Sequence, residues 1–199
     1  SACLVGSEMC IRDRELTEKY ISGLSYVDYE LLLNDWDQER IAAYLNTSLF
    51  LDIYRMKTGG TPELENGKIP AEIFESVMME AFPVTVEQLR NSCHYEEESQ
   101  SYPLERACSK QFAPFGEVVD YRENGDGTLT LFVEAVWTDY NTDCAYKNEI
   151  LVEPIEDGSC RYLSNKVEKT GTDREALAEE GNIILGTNDY DGMTNYEKM

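Results

Sequence analysis

The sequence predicts an α+β protein in which N-terminal helices pack on a four-stranded antiparallel β-meander. Two patterns support this fold class. Apolar residues recur at helical spacing in the first half of the chain, and from residue 117 onwards they alternate with polar residues in extended runs. Short turns rich in Asn, Asp and Gly separate these runs, and turns of that kind join neighbouring antiparallel strands.

Two long helical segments are predicted at the N-terminal end. Residues 15–34 form the first, and Asp35 is a suitable N-cap for the second, Trp36–Met56. Within the second segment, apolar residues recur every four positions, at Ile41, Leu45, Leu49 and Ile53. This spacing makes one apolar stripe along a helix, which we expect to face the core. Residues 58–68 are then expected to form a loop.

Local signals predict two shorter helices. Pro70 suits the first turn of one helix, because the amide hydrogen that proline lacks would be unbonded there in any case. Thr85 and Gln88 have the spacing of a capping box, which predicts a short helix over Val86–Asn91. The chain between residues 94 and 115 is expected to be an irregular connection.

Four strands are predicted after that connection. They cover Glu117–Arg122, Thr128–Trp137, Ala145–Val152 and Arg161–Val167. In the second strand, Leu131 and Val133 alternate with Phe132 and Glu134, so the two sets lie on opposite faces. We expect one face of the sheet to meet the helices and the other to be partly covered or wet.

The chain becomes polar and acidic after Val167. Thr172 and Glu175 repeat the capping-box spacing, and Gly181 is a suitable C-terminal stop for the short helix that they predict. We therefore expect a single α+β domain over residues 15–168, followed by an acidic tail over residues 169–199 with one short helix.

The first fourteen residues are expected not to be native. Cys3-Leu-Val-Gly-Ser-Glu-Met-Cys-Ile-Arg-Asp-Arg14 resembles a sequencing-library adaptor that has been translated in frame. Residues 1–14 are therefore excluded from the prediction of the fold. The native N-terminus, and any signal region that belongs to it, is then expected to be missing.

Four cysteines remain outside this segment, too few for a disulfide scaffold in a chain of this length. Cys93 and Cys108 flank a polar loop, and their pairing is left open. Cys144 and Cys160 begin neighbouring strands of a meander, roughly 30 Å apart at about 3.3 Å per residue. A disulfide needs Cα atoms within about 7 Å, so we predict that this second pair is not bridged.

The charge of the chain excludes some classes of partner. Its 199 residues include 39 Asp and Glu against 17 Lys and Arg, a formal net charge of −22. Such a surface repels nucleic acid and anionic lipid headgroups. No apolar run approaches the roughly 20 residues needed to span a bilayer, so no membrane-spanning segment is expected in this chain.

Sequence motifs for common catalytic and cofactor sites are missing. The chain has no nucleophile elbow, phosphate-binding loop or dinucleotide fingerprint, and its one histidine, His94, rules out a two-histidine metal site. Asp189 and Asp191 alternate before Gly192 as in a calcium loop, but Thr187 and Lys198 stand where the EF-hand pattern needs carboxylates. We expect neither a cofactor nor a metal.

Two sets of residues are candidates for a functional site on the sheet. Glu134 and Glu149 lie on neighbouring predicted strands and could form an acid–base pair, although an exposed, charged sheet face explains them as well. Four tyrosines could line a concave face and stack on a peptide or a sugar: Tyr121, Tyr140, Tyr146 and Tyr162. Packing in the core or at its rim is the alternative account of the tyrosines.

Residues 68–167 resemble an uncharacterised family of Clostridia-type proteins, many of them secreted proteins or lipoproteins. The matching stretches are Ile69–Glu75, Phe82-Pro83 with Leu89-Arg90, Asp126–Leu131 with Ala135–Trp137, and Asp157-Gly158 with Tyr162–Asn165. The arrangement is also similar to cystatin-like and NTF2-like domains. The family resemblance implies an extracytoplasmic location, either secreted or tethered to the envelope by a lipidated cysteine upstream of this chain.

These observations favour a binding protein over an enzyme. The expected function is a non-catalytic, extracytoplasmic binding or interaction module of a bacterial envelope protein. Its partner would be a protein, a peptide or a glycan. The alternative is a hydrolase-like enzyme that uses Glu134 and Glu149 in the concave face of the sheet.

Overall fold

The computed structural model describes residues 11–25, 30–104, 115–136 and 146–169. Within these ranges the helices, one 3₁₀ turn and the strands follow one another in a fixed order. They are α1 (residues 11–25), α2 (Glu30–Leu33), the 3₁₀ turn Ile41–Tyr44, α3 (Thr47–Thr58), β1 (Lys68–Pro70), α4 (Ala71–Ala81), α5 (Val86–Ser92), β2 (Ser101–Pro103), β3 (Phe115–Glu123), β4 (Leu129–Val136), β5 (Tyr146–Pro154) and β6 (Cys160–Lys169).

The four long strands form one sheet in the order β3-β4-β5-β6, and each runs antiparallel to its neighbour. The predicted α+β class and the four-stranded meander are therefore confirmed. Tight turns join β3 to β4 and β5 to β6. Gly127 and Gly158 have φ of 87° and 90° in these turns, a backbone conformation that suits glycine because it has no Cβ.

The second predicted helix begins later than expected. Trp36 is not helical but forms a β-bridge with Asn165, and its N-H and C=O both bond the backbone of that residue at 3.0 Å. The true N-cap of α3 is Asn46, whose side chain accepts a hydrogen bond from the Leu49 amide at 2.8 Å. Asp35 instead accepts from the amide of Val167 in β6. Long-range pairing with the sheet has overridden the local helical pattern.

The four residues of the predicted apolar stripe are nevertheless all buried. Ile41 lies in the 3₁₀ turn, Leu45 follows it, and Leu49 and Ile53 lie in α3. A sequence pattern with helical spacing therefore identified core residues correctly, although they belong to more than one element.

Residues from the N-terminal part of the chain bond both edge strands of the sheet. At the β3 edge, the amide of Val118 donates to the Thr17 hydroxyl at 2.8 Å. At the β6 edge, Trp36 pairs with Asn165. Backbone groups of both edge strands are thus bonded by residues from α1 and from the segment before the 3₁₀ turn. Bonded edge groups are not available to pair with another strand at these positions.

Two short strands were not predicted. Lys68–Pro70 and Ser101–Pro103 pair as a small antiparallel sheet, where a loop and an irregular connection were expected. Hydrogen bonds to the buried Glu75 connect this sheet to α4 and α5. Tyr102 Oη donates to Glu75 Oε1 at 2.9 Å, and Arg90 Nε donates to the same oxygen at 2.7 Å.

The capping box of α5 is confirmed. The Gln88 amide donates to the Thr85 hydroxyl at 3.2 Å, and the Thr85 amide donates to the Gln88 side chain at 2.8 Å. The helix covers Val86–Ser92, one residue more than predicted. This end signal involves only neighbouring residues, which is why the sequence alone could locate it.

Several predictions lie outside the described residues. These are the tail with its short helix and calcium-like loop, and residues 1–10 of the predicted adaptor. Cys108 and Cys144 also lie outside. Cys160 is a free cysteine, which agrees with the prediction that it forms no disulfide with Cys144.

Candidate binding surface on the open face of the sheet

The two faces of the sheet have different environments, as the alternation in the sequence predicted. In β4, Leu131, Val133 and Ala135 are buried beneath the helices, whereas Phe132 and Glu134 are only partly buried on the opposite side. We call the helix-packed side the covered face. The other side carries many exposed polar residues and is the candidate ligand-binding surface.

Strand register arranges the side chains of this second side in three rows across β3, β4, β5 and β6. The first row is Glu117, Glu134, Lys147 and Glu168, the second is Asp120, Phe132, Glu149 and Lys166, and the third is Arg122, Thr130, Leu151 and Ser164. These twelve residues define the open face. Charged residues dominate the first two rows, and the third is mostly neutral.

A groove of ≈ 400 Å³ lies over the first two rows, and all of their residues except Glu117 line it. Phe132 lines it together with Val119, where a β-bulge interrupts β3, and we call these two residues its apolar centre. Val119 is 40% exposed, which is unusual for a large aliphatic residue in a strand. Bulges bend a strand and redirect side chains, and they are frequent next to binding sites. The groove therefore combines an apolar centre with a charged border.

Arg122 forms one end of the apolar centre. Its guanidinium carbon lies 5.6 Å from the centroid of the Phe132 ring, and its Nη2 donates to the Thr130 hydroxyl at 3.4 Å. A cation over an aromatic ring is held by the ring quadrupole. The guanidinium group of Arg122 therefore contacts the Phe132 ring.

The charges of the first row are unevenly paired. Lys147 Nζ lies 3.1 Å from Glu134 Oε1 and forms an ion pair with it. On the other side of Glu134, the register places Glu117 directly opposite. Like charges at directly opposed positions destabilise a sheet. The first row therefore has a net negative charge, and two of its carboxylates, those of Glu117 and Glu134, lie directly opposite each other.

The structure brings the two predicted acid–base candidates onto the same face. Glu134 lies opposite Lys147, and Glu149 lies opposite Phe132 and Lys166, so the two glutamates are diagonal neighbours. Both border the shallow groove rather than an enclosed pocket. Charge pairs of this kind also stabilise open sheet faces, so an acid–base role for the pair stays a hypothesis.

The structure places three of the four tyrosines predicted to bind a ligand on the helix-packed side of the sheet. Tyr146 and Tyr162 are buried on the covered face, beneath the helices. Tyr121 is partly buried on that same side, opposite Leu131 and under the guanidinium of Arg12. Tyr140 lies outside the described residues. Tyr146 and Tyr162 therefore agree with the alternative given above, that these tyrosines pack in the core.

A smaller cavity of ≈ 120 Å³ lies beside Cys160 on the covered side. Burial raises the pKa of the Cys160 thiol to about 11, although Lys19 and Lys57 act in the opposite direction. The thiol is therefore protonated at neutral pH, and only the thiolate is a strong nucleophile. This cavity has no activated cysteine.

Cys93 and His94 are adjacent in the chain but lie in different environments. The Cys93 side chain points into the core, where its Sγ donates to the Leu45 carbonyl oxygen at 3.3 Å. His94 is exposed and has a φ of 56°. Among the residues that the structure describes, no three His, Cys, Asp or Glu side chains are grouped to bind a metal ion. None of the described helices is long and apolar enough to cross a membrane.

The fold and this surface define an α+β protein with one sheet face buried under helices and the other carrying a charged groove with an apolar centre. The chain belongs to a family of unknown function, DUF6070, whose profile matches residues 9–180. The match begins within the predicted adaptor and extends on both sides of the stretch used for the family resemblance. No curated protein and no solved structure was found to match the chain. The similarity to cystatin-like and NTF2-like domains stays a prediction.

Sequence reasoning missed the residues at the centre of this surface. The alternation along β4 predicts that Phe132 and Glu134 share a face, but Phe132 is not among the residues predicted to bind a ligand. Val119 could not be found, because the bulge that exposes it depends on the pairing between β3 and β4. Alternation along β4 was the signal that could have pointed to Phe132.

Proposed function

We propose that this protein is a non-catalytic, extracytoplasmic binding module of a bacterial envelope protein, and that its ligand binds on the open face of the sheet. The single observation that supports binding there is the groove around Phe132. An aromatic ring stands in it among charged side chains, next to the exposed Val119. Binding sites typically combine apolar surface for affinity with a few polar groups that fix orientation.

The arrangement of the rest of the molecule supports the choice of this face. Helices and the N-terminal segment bury the opposite face, and backbone groups of both edge strands are bonded at Val118 and Asn165. The open face retains exposed charged side chains on β3, β5 and β6, and the charged side chain of Glu134 on β4 is partly exposed. A ligand that binds there needs no rearrangement of the core.

A binding screen tests the first part of the proposal. The whole chain is applied to peptide and glycan arrays, and each ligand found is titrated against Phe132→Asp and a matched variant, Leu64→Asp. Leu64 is an exposed apolar residue in the loop before β1. We expect Phe132→Asp to weaken binding at least tenfold, because it places a charge at the apolar centre, and Leu64→Asp to change it less than twofold. Equal effects of both variants would contradict binding on the open face.

The extracytoplasmic location is supported by the resemblance of residues 68–167 to secreted proteins and lipoproteins. Cells that produce the protein from its complete gene are treated with a membrane-impermeant biotin reagent before lysis. We expect the protein to be labelled on intact cells or recovered from the medium. Recovery of unlabelled protein from the cytoplasmic fraction alone would refute this location.

A further inference from the structure

The charge on the open face indicates which ligand it would accept. In its first two rows, carboxylates outnumber lysines five to two. Lys147 is paired with Glu134, and the register places Glu117 on the other side of that glutamate. A positive group near Glu117 and Glu134 would relieve the repulsion that their cross-strand position imposes.

Apolar surface lies at a fixed distance from this pair of carboxylates. Glu134 and Phe132 are two residues apart on β4, so their positions are separated by about 6.6 Å along the strand. Side chains on one face of any extended peptide repeat at the same interval. A peptide lying along β4 can therefore place one side chain at the carboxylates and its next same-side neighbour on Phe132.

We propose that the ligand of the open face is an extended basic peptide segment of a partner protein. One Lys or Arg of the segment binds between Glu117 and Glu134, and an apolar side chain two residues away packs on Phe132 and Val119. This inference rests on the proposed function and names its partner by chemistry. Charge complementarity selects a basic segment over an anionic one, which the net charge of −22 repels, and the matching interval fits an extended segment.

The test uses the full chain and a synthetic peptide, Lys-Ser-Leu-Ser-Lys-Ser-Leu-Ser, blocked at both ends. A second peptide carries Glu in place of Lys, and a third places Lys and Leu next to each other. Affinities are measured by isothermal titration calorimetry at low and at physiological salt. We expect the first peptide to bind most tightly, the third to bind more weakly, and the glutamate peptide not to bind.

Matched charge variants separate a specific site from general attraction to an acidic protein. Glu117→Gln with Glu134→Gln removes two charges from the first row, and Glu97→Gln with Glu98→Gln removes two exposed charges from the turn before β2. We expect the first double variant to lower the affinity for the lysine peptide at least tenfold and the second less than twofold. Equal losses in both variants would overturn the proposal, because they would indicate diffuse attraction.

Comparison with the array screen keeps the two proposals distinct. If a neutral or anionic ligand depends on Phe132 while the lysine peptide does not bind, the basic-peptide inference is wrong and the binding face stands. If no ligand depends on Phe132, both proposals fail.

Discussion

On β5, Ile150 and Val152 are fully buried against the helices, whereas Glu149 and Leu151, which alternate with them, stand on the open face. The same strand therefore contributes to two surfaces with different tasks. Residues of the covered face are held by close packing, and residues of the open face contact solvent and each other across the rows. The difference teaches that stability and binding can be altered separately in this fold.

Polar groups show the same contrast. On the covered face, Asn165 Nδ2 donates to the carbonyl oxygens of Leu31 and Asn34 at 3.2 and 2.9 Å, and its Oδ1 accepts from Asn148 Nδ2 at 3.0 Å. Buried polar groups need such partners, because an unbonded one costs about 1–3 kcal/mol. On the open face, the charged groups have solvent as an alternative partner, so their identity is less constrained by folding.

The largest expected difference between the faces comes from neighbouring residues on β5. Ile150→Ala should lower the free energy of unfolding by about 2–5 kcal/mol, because it leaves a cavity in a packed core. Leu151→Ala should cost less than about 1 kcal/mol. Urea denaturation measures both. Similar losses at the two positions would show that the open face is packed against something in the native protein.

The reactivity of Cys160 tests how closed the covered face is. With a pKa of about 11 against an ordinary 9.0, the thiolate fraction at pH 8 is about a hundredfold smaller than for an ordinary thiol. We expect slow alkylation by iodoacetamide at pH 8 in the folded protein, faster reaction as the pH rises towards 11, and rapid reaction in urea. Peptide mass spectrometry follows Cys160 specifically. Equal rates in folded and unfolded chains would mean that this edge of the covered face opens.

The hydrogen bonds of Asn165 should contribute more than any one charge on the open face. Asn165→Ala removes the hydrogen bonds that Nδ2 donates to the Leu31 and Asn34 carbonyl oxygens and the one that Oδ1 accepts from Asn148, and it should cost about 1–3 kcal/mol in unfolding free energy. Its neighbour provides the control, since Lys166→Ala on the open face should change stability by no more than about 0.5 kcal/mol. A negligible effect of Asn165→Ala would show that the N-terminal segment is held to β6 by other contacts.

The smallest expected effect has the opposite sign. Glu117→Gln removes one of two directly opposed carboxylates and should stabilise the protein by about 0.2–1 kcal/mol at low salt. The gain should shrink as salt screens the repulsion. Thermal denaturation at two salt concentrations measures it, with Glu97→Gln as a control of equal charge. A loss of stability would mean that Glu117 makes a favourable contact in the folded state.

Particular residues show how far sequence reasoning reached. The start of α5 was predicted because Thr85 and Gln88 bond each other within one turn. The start of α3 was predicted wrongly, because Trp36 pairs with a strand far along the chain. The pair β1 and β2 was missed, since strands of three residues show no period and their pairing is long-range. For the candidate site, Glu134 and Glu149 were placed on one face, but Val119 and the importance of Phe132 were not foreseen.

By itself, the sequence determined the α+β class, the order of the strands and which residues of a strand point to the same face of the sheet. These features follow from alternation and from short turns between neighbouring segments. Which face the helices cover, and hence that Tyr146 and Tyr162 are buried, was decided only by tertiary packing. The bulge at Val119 and the opposition of Glu117 to Glu134 depend on strand register. The physical reason is the same in each case. Periodicity identifies the side chains that share a face, but contacts between distant segments decide whether that face packs against the protein or stays exposed.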